Sequence, residues 1–374
     1  MTFSETDGKA KKYAFEGRIL TVTTLVTETA FLVWFLFSGA SILVRDYCLL
    51  LTANYYAAVF GYFLLFFGIL EALSLPFSFV SGFLVEHRYG QSNRTFGGWC
   101  WDEIKGVAVS IILGGISVEV LYLIIKKSSS AWWIIASLVF TFFSVILARL
   151  APVLLMPLFY KFTPIEDECL KNRLLELARR GGAEVNGIFS MNLSKTTKAA
   201  NAALMGLGKT RRIVISDTML SSYTPDEIEA VIAHELGHQK GRHLLKMLLW
   251  QTVLIFISFK LIDAIFASGS SKFGFTGMSD IASLPLFILI ASFVSLVTLP
   301  AINSFSRSLE RYSDRFAFSL TANAEAFRML MERLAEQNLA DKNPNGLIEF
   351  AFHSHPSIAK RIDYVSKLSK DKKE

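Results

Sequence analysis

Six apolar runs, each long enough to cross a bilayer, restrict what this chain can fold into more than any other feature. A helix rises 1.5 Å per residue and a bilayer core is about 30 Å thick, so about 20 apolar residues in a row make one crossing. Such runs lie near residues 20–44, 57–85, 106–125, 132–160, 244–267 and 281–305. Pro152 and Pro157 predict a kink in the fourth, because proline removes a helix hydrogen bond. Only 19% of the 374 residues are charged, and 52% are hydrophobic. A water-soluble domain carries about a quarter charged residues. The expectation is an α-helical integral membrane protein with about six transmembrane helices. The polar stretch up to Arg18 and the length of the run behind it do not fit a cleaved signal peptide, so the first span is expected to be retained.

The chain divides into a tail with four spans (1–160), a hydrophilic region (161–243), two further spans (244–305) and a hydrophilic end (306–374). Even numbers of spans separate the N-terminus and the two hydrophilic regions, which puts all three on one face. That face carries Lys9, Lys11, Lys12, Arg88 and Arg94, whereas the opposite loops hold little beyond Arg45, Lys126, Lys127 and Lys272. The positive-inside rule makes the richer face cytosolic. The net charge of +6 is accounted for by this asymmetry, and no nucleic-acid partner is expected. Three cysteines (Cys48, Cys100, Cys169), none in a C-x-x-C pair, argue against a disulfide framework and a thiolate metal site. Within 161–243 the pattern predicts a helix over 166–180, a strand over 188–193, and a hairpin of strands 202–207 and 211–217 turning through Gly206, Gly208 and Lys209. Thr224-Pro225-Asp226-Glu227 reads as a capping box opening a further helix. The region is therefore α+β.

That helix contains His234-Glu235-Leu236-Gly237-His238. Histidines four apart share a helix face one turn apart and offer two neutral nitrogens to a tetrahedral zinc. Glu235 stands where a carboxylate can act as general base towards water at the metal. A third ligand is required. In the metzincin pattern the third histidine would fall at position 244, which is leucine, and His243 is one residue short. His243 is therefore read as an interfacial residue at the head of the fifth span. Glu310 and Asp314, at i, i+4 just after the sixth span, could supply a ligand and a carboxylate behind a histidine. Spacing alone does not distinguish this from an ordinary charged helix start.

Several motifs together resemble the type I CAAX prenyl endopeptidases, integral-membrane zinc metalloproteases of the gluzincin group, and more distantly the bacterial heat-shock membrane peptidases. They are Glu86-His87-Arg88-Tyr89-Gly90 with Asn93 and Thr95; Asn201-Ala202-Ala203-Leu204; Gly208 through Val214 with Asp217-Thr218; His234 to His238 with Gly241 and His243; Arg307, Glu310 and Asp314; and Ser354-His355-Pro356 with Arg361. The resemblance implies one zinc per chain on His234, His238 and Glu310, with Asp314 behind them. It implies substrate backbone held by strand addition along Asn201, Ala202 and Ala203. It also implies that His355 and Arg361 support the developing oxyanion or the substrate carboxylate. Read without it, a His before Pro and an Arg six residues on mark a solvated helix start. Eukaryotic members have seven spans; six are counted here, and the family's first is the one without a counterpart.

Glu28, Glu71, Glu119, Arg149, Lys260 and Asp263 fall inside the predicted spans. Each costs about 2.5–3.5 kcal/mol facing lipid on insertion scales. So many in one bundle predict a hydrated chamber, with Lys260 and Asp263 able to pair. The implied activity is removal of the last three residues after a prenylated cysteine, in the endoplasmic reticulum membrane of a eukaryote or the inner membrane of a bacterium. The alternatives are a quality-control protease acting on non-prenylated membrane proteins, or a transporter that has lost catalysis, which the intact metal motif disfavours.

Overall fold

The computed structural model describes residues 3–128, 130–206, 208–269 and 273–371. Lys272 and the end of the predicted strand at Leu207 lie outside them. Six described helices are long and apolar enough to cross a membrane. They belong to α1 (Phe3–Phe37), α3 (Tyr55–Phe79, running on to Arg88), α4 (Phe96–Lys127), α5 (Trp132–Leu150, running on to Phe159), α9 (His243–Gly269) and α10 (Leu284–Thr321). α2 (Ala40–Leu51) follows α1. Its 12 residues span only about 18 Å, too short to cross.

Several boundaries differ from expectation: α4 begins at Phe96 rather than near 106, and α10 runs on to Thr321 rather than ending near 305. The first span ends at Phe37 rather than near 44, because Gly39 at φ +78° breaks the helix before α2 starts. The polar start of the chain is helical too and packs beside the end of the second span. There Tyr13 donates to Glu86 (2.6 Å), and Tyr89 and Arg88 donate to Glu16 (2.9 and 3.1 Å). The expected irregularity in the fourth span is a π-helical turn at Ala151–Leu155, around Pro152. On the opposite face, Asp280 is fully buried against Arg45 at 2.6 Å and ties α2 to the loop before α10.

The hydrophilic region builds a four-stranded sheet of order β1-β2-β4-β3, with β1 (Phe162–Pro164), β2 (Ile188–Met191), β3 (Ala202–Met205) and β4 (Arg212–Ser216). Only β2 and β4 run parallel. β1 was not anticipated; three residues carry too little periodicity to read. The predicted hairpin is β3–β4. At its turn Gly206 adopts φ +83°, where a Cβ would lie 2.5 Å from the Thr210 carbonyl oxygen. The predicted first helix is α6 (Glu168–Arg180), and α7 (Asp217–Ser222) precedes the metal-motif helix α8 (Pro225–Lys240). α8 begins with the expected capping box between Thr224 and Glu227.

After the sixth span the chain supplies the second half of α10, then α11 (Ala324–Gln337), α12 (Gly346–Phe352) and α13 (Ile358–Asp371). One core draws on both hydrophilic segments, joining Leu174, Leu177, Ile213, Ile215, Ile228 and Ile232 to Phe327, Leu330 and Val365. This shared core fixes α10 against α8. The approach is closest at Gly237, where a Cβ would stand 2.8 Å from the Ser313 Cα.

Candidate metal centre

The α8–α10 contact aligns three side chains. The Nε2 atoms of His234 and His238 are 3.0 Å apart, Glu310 Oε2 is 3.3 Å from His234 Nε2, and Glu310 Oε1 is 3.2 Å from His238 Nε2. Ligand atoms at 2.0–2.1 Å from a tetrahedral zinc stand roughly 3.3 Å from each other. The three contacts are close to that length, with a different carboxylate oxygen facing each imidazole. Glu310 Oε2 is buried and accepts no hydrogen bond among the described residues. Two imidazole nitrogens and a carboxylate oxygen form a donor set that suits zinc.

The ligand triangle is braced from behind. Asp314 is buried and accepts from His234 Nδ1 at 2.8 Å. Its two oxygens also accept from Arg361 Nη2 (2.6 Å) and Nε (2.9 Å). A carboxylate on Nδ1 keeps the proton there and leaves Nε2 free to ligate. Arg361 is nearly buried and its fork closes on Asp314. It thus sits behind the centre. His355 faces it directly, with Nε2 3.3 Å from Glu310 Oε1 and Nδ1 2.9 Å from the Ser354 hydroxyl. Glu235 is half-buried and makes no hydrogen bond among the described residues; burial raises its carboxyl pKa against the pull of the neighbouring His234 and His238.

β3 is the edge strand of the sheet, and its phase is set by the Ser216 amide donating to the Asn201 carbonyl (2.9 Å). Asn201, Ala203 and Met205 therefore direct their backbone groups at β4, while Ala202 and Leu204 direct theirs outward. Ala202 thus points its backbone groups away from β4, Ala203 does not, and Leu204, absent from the expected set, joins Ala202. Strand phase is not readable before the register is known. Asn338 holds the start of this edge, accepting from the Ala200 amide (2.9 Å) and donating to its carbonyl (3.3 Å).

His243 heads the fifth span as expected, but its side chain does not face the interface. It is 4% exposed, and its Nδ1 lies 2.9 Å from His238 Nδ1. The residue does turn away from the triangle, as its position one short of the metzincin pattern implied, but it turns onto a triangle member.

Residues 164–369 match peptidase family M48, and residues 4–161 match the CAAX prenyl protease N-terminal family, described as having five membrane helices. The chain belongs to peptidase family M48. Four described helices in that N-terminal stretch are long and apolar enough to cross. The chain is 34% identical over 339 residues to CAAX prenyl protease 1 of Saccharomyces cerevisiae, covering 82% of this chain and 73% of that one. It is 30% identical over 343 residues to the uncharacterized metalloprotease YhfN of Bacillus subtilis, covering 89% and 80%. The crystal structure of S. mikatae Ste24p shares the fold, with a TM-score of 0.88 at 24% identity over 97% of this chain and 90% of that one. M48 peptidases are zinc-dependent, and this M48 chain is a multi-span membrane metalloprotease.

Proposed function

We propose that the chain hydrolyses a peptide bond near the C-terminus of prenylated CAAX-type substrates, with zinc held by His234, His238 and Glu310. The observation that carries the site assignment is the 3.0–3.3 Å triangle with Glu235 adjacent and a free strand edge beside it. Bound there, zinc supplies Lewis-acid chemistry, polarising the scissile carbonyl and acidifying water. Glu235 takes the proton from the attacking water and returns it to the leaving amine. The outward backbone groups of Ala202 and Leu204 pair with the substrate as an added strand, and Asn201 positions their start. His355 supports the developing oxyanion. Asp314 fixes the tautomer of His234, and Arg361 holds Asp314, so Arg361 is a positioning residue rather than a catalytic one.

The lysine and arginine asymmetry supports a cytosolic orientation for this machinery, at the endoplasmic reticulum membrane of a eukaryote or the inner membrane of a bacterium. The prenyl specificity rests on the likeness to CAAX prenyl protease 1, and the likeness to the bacterial YhfN keeps a protease of non-prenylated membrane proteins as the second reading. Paired C-terminal peptides, farnesylated and unmodified, decide between them. Preferential cleavage of the farnesylated peptide is expected, and equal cleavage overturns the specificity. Glu235→Gln is expected to keep stoichiometric zinc and to lower turnover about 10²–10⁴-fold, the range for a general base. Unchanged turnover refutes its role.

A further inference from the structure

His234 has a carboxylate at its Nδ1, but among the described residues no carboxylate reaches Nδ1 of His238, whose Nε2 faces Glu310. The bond at the back of His238 comes from an imidazole. We infer that His243 is the positioning residue for His238, doing for it what Asp314 does for His234; this rests on the metal reading of the triangle.

Three independent features of the chain bring His243 there. α8 stops at Lys240, and Arg242 adopts φ +52°, a left-handed conformation uncommon for a side chain of this size. That residue reverses the chain sharply enough for position 243, the first of α9, to return to position 238. The His238 and His243 rings then meet edge to face, with centroids 4.9 Å apart and planes at 86°. Gly241 makes the room. A Cβ at 241 would stand 2.1 Å from His243 Nε2 and 2.5 Å from its Cδ2, and its three nearest atoms all belong to the His243 ring. Gly241 itself has φ −73°, which any residue adopts, so its small size serves the imidazole and not the backbone.

The proton positions follow from the bonding. If Nε2 of His238 is a metal ligand, its proton is on Nδ1 and is donated to Nδ1 of His243. That atom must then be a lone-pair acceptor, so His243 carries its own proton on Nε2. Nε2 is buried and has no partner among the described residues. A buried donor left without a partner is unfavourable. The fold tolerates it for the bond His243 makes on its other side. Tyr312 packs edge-on at 5.3 Å and holds the ring from the α10 side.

The test is zinc affinity of the purified full-length chain in detergent, read by competition with a chromophoric chelator and by the d–d spectrum after cobalt substitution. Removing a group behind a metal-bound histidine weakens binding 10–100-fold, so His243→Ala is expected to fall in that range. His243→Asn places an amide oxygen near the lost Nδ1 and is expected to recover most of the affinity and the wild-type spectrum. Gly241→Ala pushes the ring out and is expected to match His243→Ala. The double variant is expected to be no worse than either single one, because the ring atoms nearest the added methyl are then gone. Wild-type affinity in His243→Ala overturns the proposal. So does His243→Asn behaving like alanine, or the two losses multiplying in the double variant. Loss of zinc from Glu310→Ala, measured alongside, reports on the triangle itself, so failure of the ligand assignment is distinguishable from failure of this one.

Discussion

The polar groups of the metal centre and those between the spans obey different rules. At the centre the third ligand and the acid behind it are tied to named partners, and only Glu235 stands unbonded among the described residues: Asp314 takes three hydrogen bonds from Arg361 and His234, and Glu310 faces His234, His238 and His355. In the spans the acids are loosely held. Glu28 accepts from Ser74 (2.6 Å) and Glu103 from Ser78 (3.0 Å). Glu71 has no hydrogen-bonding partner among the described residues, and Glu119 Oε1 is buried with none. The expected Lys260–Asp263 pair does form, at 3.0 Å, with Trp132 also donating to Asp263. One region is built to hold a geometry. The other keeps polar side chains without fixing partners for them, which predicts that water completes their bonding.

The contrast predicts its largest effect at Asp314. Asp314→Ala leaves Arg361 nearly buried without its carboxylate, and breaking such a pair costs about 3–5 kcal/mol. Zinc affinity is expected to fall about 10–100-fold with it. Thermal unfolding and chelator competition check the two effects, and a variant as stable and as zinc-avid as the parent removes the distinction between the regions.

A smaller effect is expected at the free edge. Leu204→Pro deletes one outward N–H on β3, while leaving the Asn201, Ala203 and Met205 bonds to β4 in place. Losing one intermolecular hydrogen bond of about 1–1.5 kcal/mol should raise KM about tenfold with zinc content unchanged. Ala203→Pro, facing β4, should instead destabilise the sheet. Equal behaviour of the two variants would mean that substrate does not add to this edge.

Much of this was readable from local pattern, and the exceptions share a cause. Span positions, the capping box at Thr224 and the His234–His238 pair depend on residues within a few positions of one another. The hairpin was legible because Gly206 and Gly208 mark the turn. Glu310 and Asp314 lie more than 70 positions from the motif; spacing raised them, and only the resemblance singled them out. Their meeting with α8 depends on packing through Gly237 and Ser313, which no local signal reports. The His243 side chain was misplaced because a single left-handed residue, Arg242, decides its direction. Arg361 was given the substrate's side of the centre, whereas Asp314 draws it behind His234, a contact across 47 positions. The first span was set too far along because composition blurs the end that Gly39 makes sharp.

The smallest expected effect separates the regions most directly. If the spans enclose water, an acid there can be removed with little loss and its replacement will meet solvent. Glu28, Thr29, Glu71, Ser74 and Ser292 line a cavity of about 220 Å³. Leu25, Leu32, Phe67, Leu70 and Ile288 complete its wall, and a cavity of that size with these polar groups has room for several waters at about 30 Å³ each. Cysteines placed at 71 and 119, in a chain whose Cys48, Cys100 and Cys169 have been replaced by alanine, are expected to react with a small water-soluble thiol reagent in the folded protein. Stability should change by less than about 1 kcal/mol, since neither carboxylate makes a described hydrogen bond. Cysteines that resist the reagent at both positions would mean a close-packed interior. The acids of the spans would then have to be neutral or paired across helices, and the contrast with the metal centre would be one of degree.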